Sequence, residues 1–395
     1  MGQPQNSTEY EHLVPCLAGI PDPRGKQGRQ YTWLFLLTII ATAMLSGEST
    51  PLGISQWLKR YETELVASLR PARNRMASSS TIQRVLRKIS IEALEEAVSR
   101  YPRGLRPAMG ESGQIVTLTG ERLQCLAVDG KTVRCATAHG QVTHLVSVVA
   151  HEDGIVLTQV NAQAKLDEIT QARKLLASLS LEHTVTTFDA LHTSFPLAKQ
   201  IRQGGGHYLF VVKRNRKTLF QAIEEAFSVL PPQGTCERDF WQYESCSLTD
   251  QGHGRTVHYF LESTTALNHY LDFPDVALVA RRTRSSRNHH TRELSVSVEF
   301  LITSLPRSQV SLAQLAHIRR QHWTIENVTH YPRDVSFGED RCHVHSGSAP
   351  QALAAFRNAI IGTLRVQGWP YLPNGFHFCR SNLHISLRWL GALAS

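Results

Sequence analysis

Two apolar, β-branched runs in this chain end in an aspartate: "LQCLAVDG", which carries Asp129, and "TVTTFDA", which carries Asp189. A carboxylate on a buried strand is costly unless it is hydrogen-bonded, paired or bound to a metal. Taken alone, the first run also reads as a strand ending in an Asp-Gly turn. What surrounds the two runs constrains the fold. "LQCLAVDG", "THLVSVVAH" and "GIVLTQVNA" are three short strands separated by Gly-containing turns. A helical stretch at 165–179, the strand "HTVTTFDA", the helix "TSFPLAKQIRQ" broken by Gly204–Gly206, and the strand "HYLFVVK" follow. Three strands in a meander, then helix, strand, helix, strand, predict an α/β fold: a mixed sheet with helices on its faces.

The remaining sequence divides around that region. Residues 32–100 read as helical, beginning with the apolar run "TWLFLLTIIATAMLSG". That run is shorter than the ~20 residues of a membrane span, so a buried core helix ended by Gly47 is expected, with no membrane partner. A second helix is expected over 51–69. In "TIQRVLRKIS", Ile82, Val85, Leu86 and Ile89 recur at helical spacing, with Ser79 or Ser80 as the N-cap. Arg84, Arg87 and Lys88 lie on the other face, entered through Arg70, Arg73 and Arg75. They suit a helix-turn-helix recognition element, or else the solvated face of a small bundle. Residues 231–305 are β-like and irregular, and helix resumes at 311. The expected domains are therefore 1–105 (helical, DNA-binding), 114–230 with 306–395 (the mixed sheet), and 231–305 (a β-rich insertion).

Composition narrows the partners. With 42% hydrophobic and 19% charged residues the chain is globular, and 42 Lys and Arg against 33 Asp and Glu give +9, which suits a polyanion. Seven scattered cysteines without a C-x-x-C pair argue for reduced thiols in the cytoplasm and against a zinc ribbon.

Crevices at strand ends are where sheets of this kind bind ligands. Two aspartates there offer hard oxygen ligands to Mg²⁺ or Mn²⁺, which keep waters and bind phosphates. The third candidate is Glu326 in "RRQHWTIEN". Ser311 and Gln314 can form a capping box for this helix. Along it, Arg319, His322, Glu326, His330 and Arg333 would share one stripe, with Leu312, Leu315, Ile318 and Ile325 on the neighbouring one. The stripe reads either as a metal ligand flanked by phosphate-binding side chains or as an exposed, charge-compensated face. Glu339 and Asp340 in "SFGEDR" are rival acids, read as loop or capping residues. Three carboxylates can hold two divalent ions, one activating the attacking oxygen of a phosphodiester exchange and one stabilising the leaving oxygen.

With these residues in place, the chain resembles the DDE transposases of bacterial insertion sequences, in particular the ISAs-type branch. The similarity runs over nearly the whole sequence: "IPDPRGKQGRQYTWLFLLTIIATAMLSGESTPLGISQW", "AVDGKTVR", "TFDALHT", "KRNRKTL", "GHGR" and "RRQHWTIEN…DVSFGEDR". The resemblance implies an RNase H-like core and Asp129, Asp189 and Glu326 as a metal-binding catalytic triad. It makes Lys131 and Lys213, with Arg319 and His322, contacts to DNA phosphates, and Trp323 and Asn327 supports of the catalytic helix. Mg²⁺ (or Mn²⁺) would serve cleavage of double-stranded DNA at the element's ends, and the freed 3′-hydroxyl would attack target DNA. A homodimer would act on paired ends. Some positions depart from the pattern: His322 stands where related enzymes carry Arg, Pro332 falls six residues after Glu326, and "KLDEI" and "KRNR" replace the usual blocks. These departures open a second reading, a catalytically decayed copy that still binds DNA. A stand-alone nuclease that cuts without joining fits less well, since it needs neither insertion nor N-terminal domain.

Overall fold

The computed structural model describes residues 12–27, 29–105 (backbone only for 102–105), 114–133, 143–151, 153–162, 167–228, 230–231, 235–252, 254–323 and 325–393. The described residues form ten strands: β1 (Gln114–Val116), β2 (Arg122–Val133), β3 (Thr143–Ala150), β4 (Val156–Ala162), β5 (Thr184–Phe188), β6 (His207–Val212), β7 (Glu244–Gly252), β8 (Arg255–Thr264), β9 (Leu278–Asn288) and β10 (Leu294–Thr303). The chain forms two compact units. One comprises 113–129 and 172–324, and the other 1–112, 130–171 and 325–395, so β2 belongs to both.

In the first unit the strand order is β2–β5–β6–β10–β9–β8–β7, with β1 also paired to β2. The pairs β2–β5 and β5–β6 are parallel, and the others are antiparallel. This is the mixed sheet expected of an RNase H-like core, prolonged by the β-rich segment. Phe300–Thr303 of β10 pair with Val212–Leu209 of β6 and join that segment to it. Helix Leu312–Gln321 starts on the expected capping box. The Ser311 hydroxyl accepts from Gln314 N–H (3.1 Å), and the Gln314 amide oxygen accepts from Ser311 N–H (2.8 Å). Its Leu312, Leu315 and Ile318 are buried in one cluster with Leu123, Val185, Leu209, Leu278 and Leu301 of the sheet.

The second unit is mainly helical. Helix Trp33–Leu45 is buried almost throughout, as its uniform apolarity requires, and Gly47 (φ 92°) turns the chain beyond it. No helix among the described residues is long and apolar enough to cross a membrane. The helix expected over 51–69 is two, Pro51–Arg60 and Glu62–Leu69, parted at Tyr61 (φ −101°, ψ 20°). Ser78, not Ser79 or Ser80, takes the N-cap position of helix Ser79–Lys88, without a side-chain cap bond. Helix Ile91–Leu105 runs to the end of the expected first domain, and 106–113 lie outside the described residues. These N-terminal helices share a single apolar core with Ala349–Val366, Leu372–Ser381 and Leu383–Trp389. The antiparallel hairpin β3–β4 and the end of β2 complete the unit. The described cysteines form no disulfide.

The α-helix expected to run on through Glu326 stops at Gln321. Ile325–His330 and Pro332–Ser336 are π-helical, and Phe337 N–H donates to the carbonyl of Pro332, five residues back (3.1 Å). Proline is the cause at hand. In an α-helix the Val328 carbonyl would accept from residue 332, which has no N–H. Arg365 supplies a donor instead, its guanidinium bonding the carbonyls of Val328 and Gly154. The predicted stripe is not one exposed face. Arg319 (4% exposed) and Arg333 (0%) are buried, whereas Glu326 is exposed.

Arg333 holds this segment through Glu339. Its Nε lies 3.0 Å from both carboxylate oxygens, and Arg357 Nη1 lies 2.8 Å from Oε2. All three are buried, so Glu339 is an internal counter-ion and neither a loop nor a capping group. Burial pushes its carboxyl up, but the two guanidinium groups outweigh that effect and hold it at about 2. Its folded pKa is below the ordinary 4.5, so the stability it contributes is present above pH 4.5 and is lost as pH falls towards 2. Glu339→Gln should destabilise the protein by roughly 3–5 kcal/mol near neutral pH, because two buried cations lose their partner. Urea unfolding at pH 7 and pH 3 checks both statements: the gap between wild type and variant should narrow at the lower pH.

Candidate active site

The last register pair between β2 and β5 is Val128 with Phe188. Asp129, the next residue of β2, and Asp189, the first residue past β5, follow that pair, so the parallel pairing brings both carboxylates to neighbouring positions. The Asp-Gly turn is not there: β2 continues through Gly130 to Val133. Asp129 is half-buried rather than enclosed, and the Asp189 side chain is 41% exposed. The next strand contributes a cation at this end. Phe188 pairs with Phe210 of β6, and Lys213, just beyond β6, sets Nζ 3.6 Å from Asp189 Oδ1.

Side chains not singled out from the sequence hold this corner. Asp189 opens the 3-10 turn Ala190–His192. Asn215 donates to the Ala190 carbonyl (2.9 Å), Arg216 to that of Thr193 (2.7 Å), and the Thr193 hydroxyl to that of Val211 (2.6 Å). The block "KRNR" thus laces the loop after β6 to the turn after β5. Its Arg and Asn side chains were its only signal. His192 is buried, which pushes its imidazole down to about 4 against the pull of Asp189 and keeps it neutral.

His322 is buried too (7% exposed), at the end of helix Leu312–Gln321. Its Nδ1 lies 2.8 Å from the Thr187 hydroxyl, which also lies 3.0 Å from the Leu126 carbonyl. A hydroxyl has one proton and the carbonyl can only accept, so Thr187 donates to Leu126 and accepts from His322 Nδ1–H. This places His322 as a brace between the helix and the two aspartate-bearing strands. Arg319 is turned inward, 4% exposed. It bonds Glu299 Oε2 (3.0 Å), whose other oxygen receives Arg282 (2.5 Å).

In the second unit, Glu326 opens the first π-helical turn, exposed like Asn327, while Trp323 is exposed at the end of the first unit. Lys131 is buried and gripped by Asp334 through both oxygens (2.8 and 2.6 Å), so its charge is already matched. Glu168, in the block "KLDEI", is a further carboxylate that sequence reading did not select. It is 7% exposed and lies so close to Gly130 that a Cβ there would meet Oε1 at 2.8 Å. The residue after Asp129 is therefore glycine for want of room. Arg84, Arg87 and Lys88 are all exposed on helix Ser79–Lys88.

Among the described residues no group of three or more His, Cys, Asp or Glu side chains is gathered closely enough to hold a metal ion. Asp129, half-buried within β2, and Asp189, 41% exposed just past β5, nonetheless fit a hard divalent cation: they are carboxylate oxygen donors at neighbouring register positions, partly open to solvent as an ion that keeps waters requires.

Comparison with known proteins gives concordant matches. Residues 120–361 match the family "Transposase DDE domain", and residues 14–101 match "DDE_Tnp_1-associated". The chain is 28% identical over 373 residues to "Putative transposase YncI" of Escherichia coli O157:H7, covering 90% of this chain and 87% of that protein. It is 24% identical to "H repeat-associated putative transposase YhhI" of Escherichia coli K12, covering 90% and 91%. Among solved structures it is similar to the piggyBac transposase synaptic complex with hairpin DNA, with 10% identity, a TM-score of 0.40, and coverage of 91% of this chain and 72% of that one. These matches leave the ISAs-type branch an expectation of the motifs.

Thr187→Val should remove both bonds of the hydroxyl bridge and lower stability by about 1–3 kcal/mol, as expected for buried groups that lose a partner. Chemical denaturation of wild type and variant measures the difference. An unchanged midpoint would show that the bridge contributes nothing.

Proposed function

The chain belongs to the DDE transposase family, and from that premise we propose that Asp129, Asp189 and Glu326 are the carboxylates with which it cuts the ends of a DNA element and joins them to target DNA. It is a bacterial insertion-sequence DNA transposase, and dependence on a divalent metal comes with the DDE family. The choice of Mg²⁺ or Mn²⁺, the roles of individual residues and the order of steps are our reading. One observation carries it most: the parallel register of β2 and β5 puts Asp129 and Asp189 side by side beyond Val128 and Phe188.

Two anionic side chains at neighbouring positions repel each other, and positive charge beside them relieves the repulsion. Lys213 supplies one such charge, and a bound divalent cation would supply more. When bound, that cation would lower the pKa of water and stabilise the oxygen that leaves phosphorus. The carboxylates of Asp129 and Asp189 fix its position from the sheet. Glu326, exposed on the first π-helical turn, is the third carboxylate in this reading. Lys213 would turn from Asp189 to a phosphate oxygen when DNA enters, since a flexible ammonium exchanges one anionic partner for another at little cost. Cleavage leaves a 3′-hydroxyl, and its attack on a target phosphodiester exchanges one such bond for another, so no nucleoside triphosphate is needed. Two copies of the chain acting on paired ends complete the proposal. Arg319, buried against Glu299, and Lys131, matched by Asp334, take no part in DNA contact in this account.

The test is cleavage of a plasmid carrying the element's ends, with Mg²⁺ or Mn²⁺, by wild type, Asp189→Asn and Glu326→Gln. Nicking at the ends should fall by roughly 100-fold or more in each variant, since even outer-shell partners of metal sites are worth about 10- to 100-fold. Binding of the ends should persist. Cleavage that survives either substitution would remove that residue from the site. A wild type that binds the ends and does not cut them under any metal would point to a decayed copy.

A further inference from the structure

The segment from Arg24 to Trp33 and helix Ser79–Lys88 face each other across a groove of about 530 Å³, which none of the residues proposed for catalysis lines. We propose that this groove is where the chain reads the base sequence of duplex DNA at the element's ends. The inference rests on the transposase reading for the identity of that DNA.

Three observations carry it. The first is the chemistry of the walls. Arg24, Gln27 and Gln30 line one side, and Thr81, Arg84 and Lys88 the other, with no acidic side chain among the lining residues. Long cations and carboxamides are the groups that discriminate base edges: Arg and Lys pair with guanine O6 and N7, and Gln pairs with adenine N6 and N7. The second is geometry. Thr81, Arg84 and Lys88 recur at three and four residues, so they form one face of the helix, and Arg84 and Lys88 are exposed. At 1.5 Å per residue, ten residues give a rod of about 15 Å, which a major groove about 12 Å wide accepts end-on or at a slant. Arg87 on the same helix, with Lys26, Arg29, Arg73 and Arg75, is exposed around the groove and suits flanking phosphates.

The third observation is that the groove is built before any ligand arrives. Arg24 is clamped by both oxygens of Asp22 (2.8 Å each), donates to the Tyr31 carbonyl (2.9 Å) and lies over the Trp33 ring (5.3 Å). The Tyr31 hydroxyl reaches across to the carbonyls of Arg75 and Met76, and Met76 N–H is fixed by Glu62 (2.6 Å). The two walls are thus tied together just ahead of the helix, so the backbone of the groove needs little reordering on binding. The indole N–H of Trp33, 6% exposed at the groove's lining, has no acceptor within the described protein. The block "PDPRGKQGRQYTW", which the catalytic reading leaves unused, gains a role in this way. Asp22 and Arg24 set the loop, and Gln27 and Gln30 face the DNA.

The test measures equilibrium binding of the full chain to two fluorescent duplexes, one with the terminal base pairs of its own element and one with the same bases shuffled, at fixed salt. Wild type should prefer the element end. Arg84→Ala/Lys88→Ala and, separately, Gln27→Ala/Gln30→Ala should lower affinity for the element end by a factor of roughly 10 to 100, the range for lost base contacts. Affinity for the shuffled duplex should change far less. Arg287→Ala/Arg292→Ala, in the other basic concavity on β9 and the loop after it, should affect both duplexes alike or neither. Equal losses on both duplexes from the groove variants, no loss, or a wild type without preference would overturn the proposal. So would loss of preference in the β9 variant alone. Cleavage plays no part in these readouts, so a chain that reads its ends and fails to cut them would leave this inference standing while the catalytic one falls.

Discussion

Much of the helical unit is organised around one carboxylate. Glu339 is enclosed with two arginines, Arg333 from the π-helical segment and Arg357 from the long C-terminal helix. Arg357 also donates to the Ser49 carbonyl, just before helix Pro51–Arg60, and Arg333 reaches Gln159 on β4. Asn358 bonds that same Gln159 oxygen. Four parts of the chain, distant in sequence, therefore meet in a single polar cluster inside apolar surroundings. Such a cluster adds little net stability compared with a well-packed apolar one. Its worth is positional, because a half-assembled version leaves buried charge exposed to nothing. The segment that carries Glu326 is held by this requirement more than by its own helical propensity.

The sheet unit works by a different rule, that of register. Parallel pairing fixes which residue of β5 stands beside which residue of β2, and a slip of one residue would turn every side chain to the opposite face. Leu123, Cys125 and Val185 are fully or almost fully buried in one cluster, which locks that register. Once it is locked, the juxtaposition of Asp129 and Asp189 follows without any interaction between the two. Asn215, Arg216 and Thr193 then fix the turn beyond Asp189, and His322 and Thr187 brace the strands from the helix side.

Several of these features were legible in the sequence because they depend on local pattern. The β-branched runs, the Gly204–Gly206 break, the Ser311–Gln314 capping box and the buried apolar stripe of Leu312, Leu315 and Ile318 all appear where periodicity and capping chemistry put them. What escaped depends on distant partners. That Arg319, on a helix, meets Glu299 of β10, and that Lys131 meets Asp334, depends on tertiary packing that local pattern does not encode. Glu168 became visible only through its closeness to Gly130. The end of β2 was misread because Asp-Gly is ordinary turn chemistry, and pairing beyond Asp129 overrides it. The π-helical turns were also hidden: proline announces that an α-helix must yield, but not what replaces it.

Pro332 and Arg365 bear on how the chain tolerates change. Proline within the helix reads as damage on inspection of the sequence. In the structure its missing donor is replaced by a guanidinium from helix Ala349–Val366, which binds the carbonyl left over at Val328. The two residues are therefore one compensated unit with respect to substitution. An N–H restored at 332 would offer the Val328 carbonyl an α-type bond and pull against the π-helical spacing of this segment. Removing Arg365 alone would strand the carbonyl. A change at either position therefore acts on the bonding of the other, and the effect of replacing Pro332 depends on whether Arg365 is still there to bond Val328.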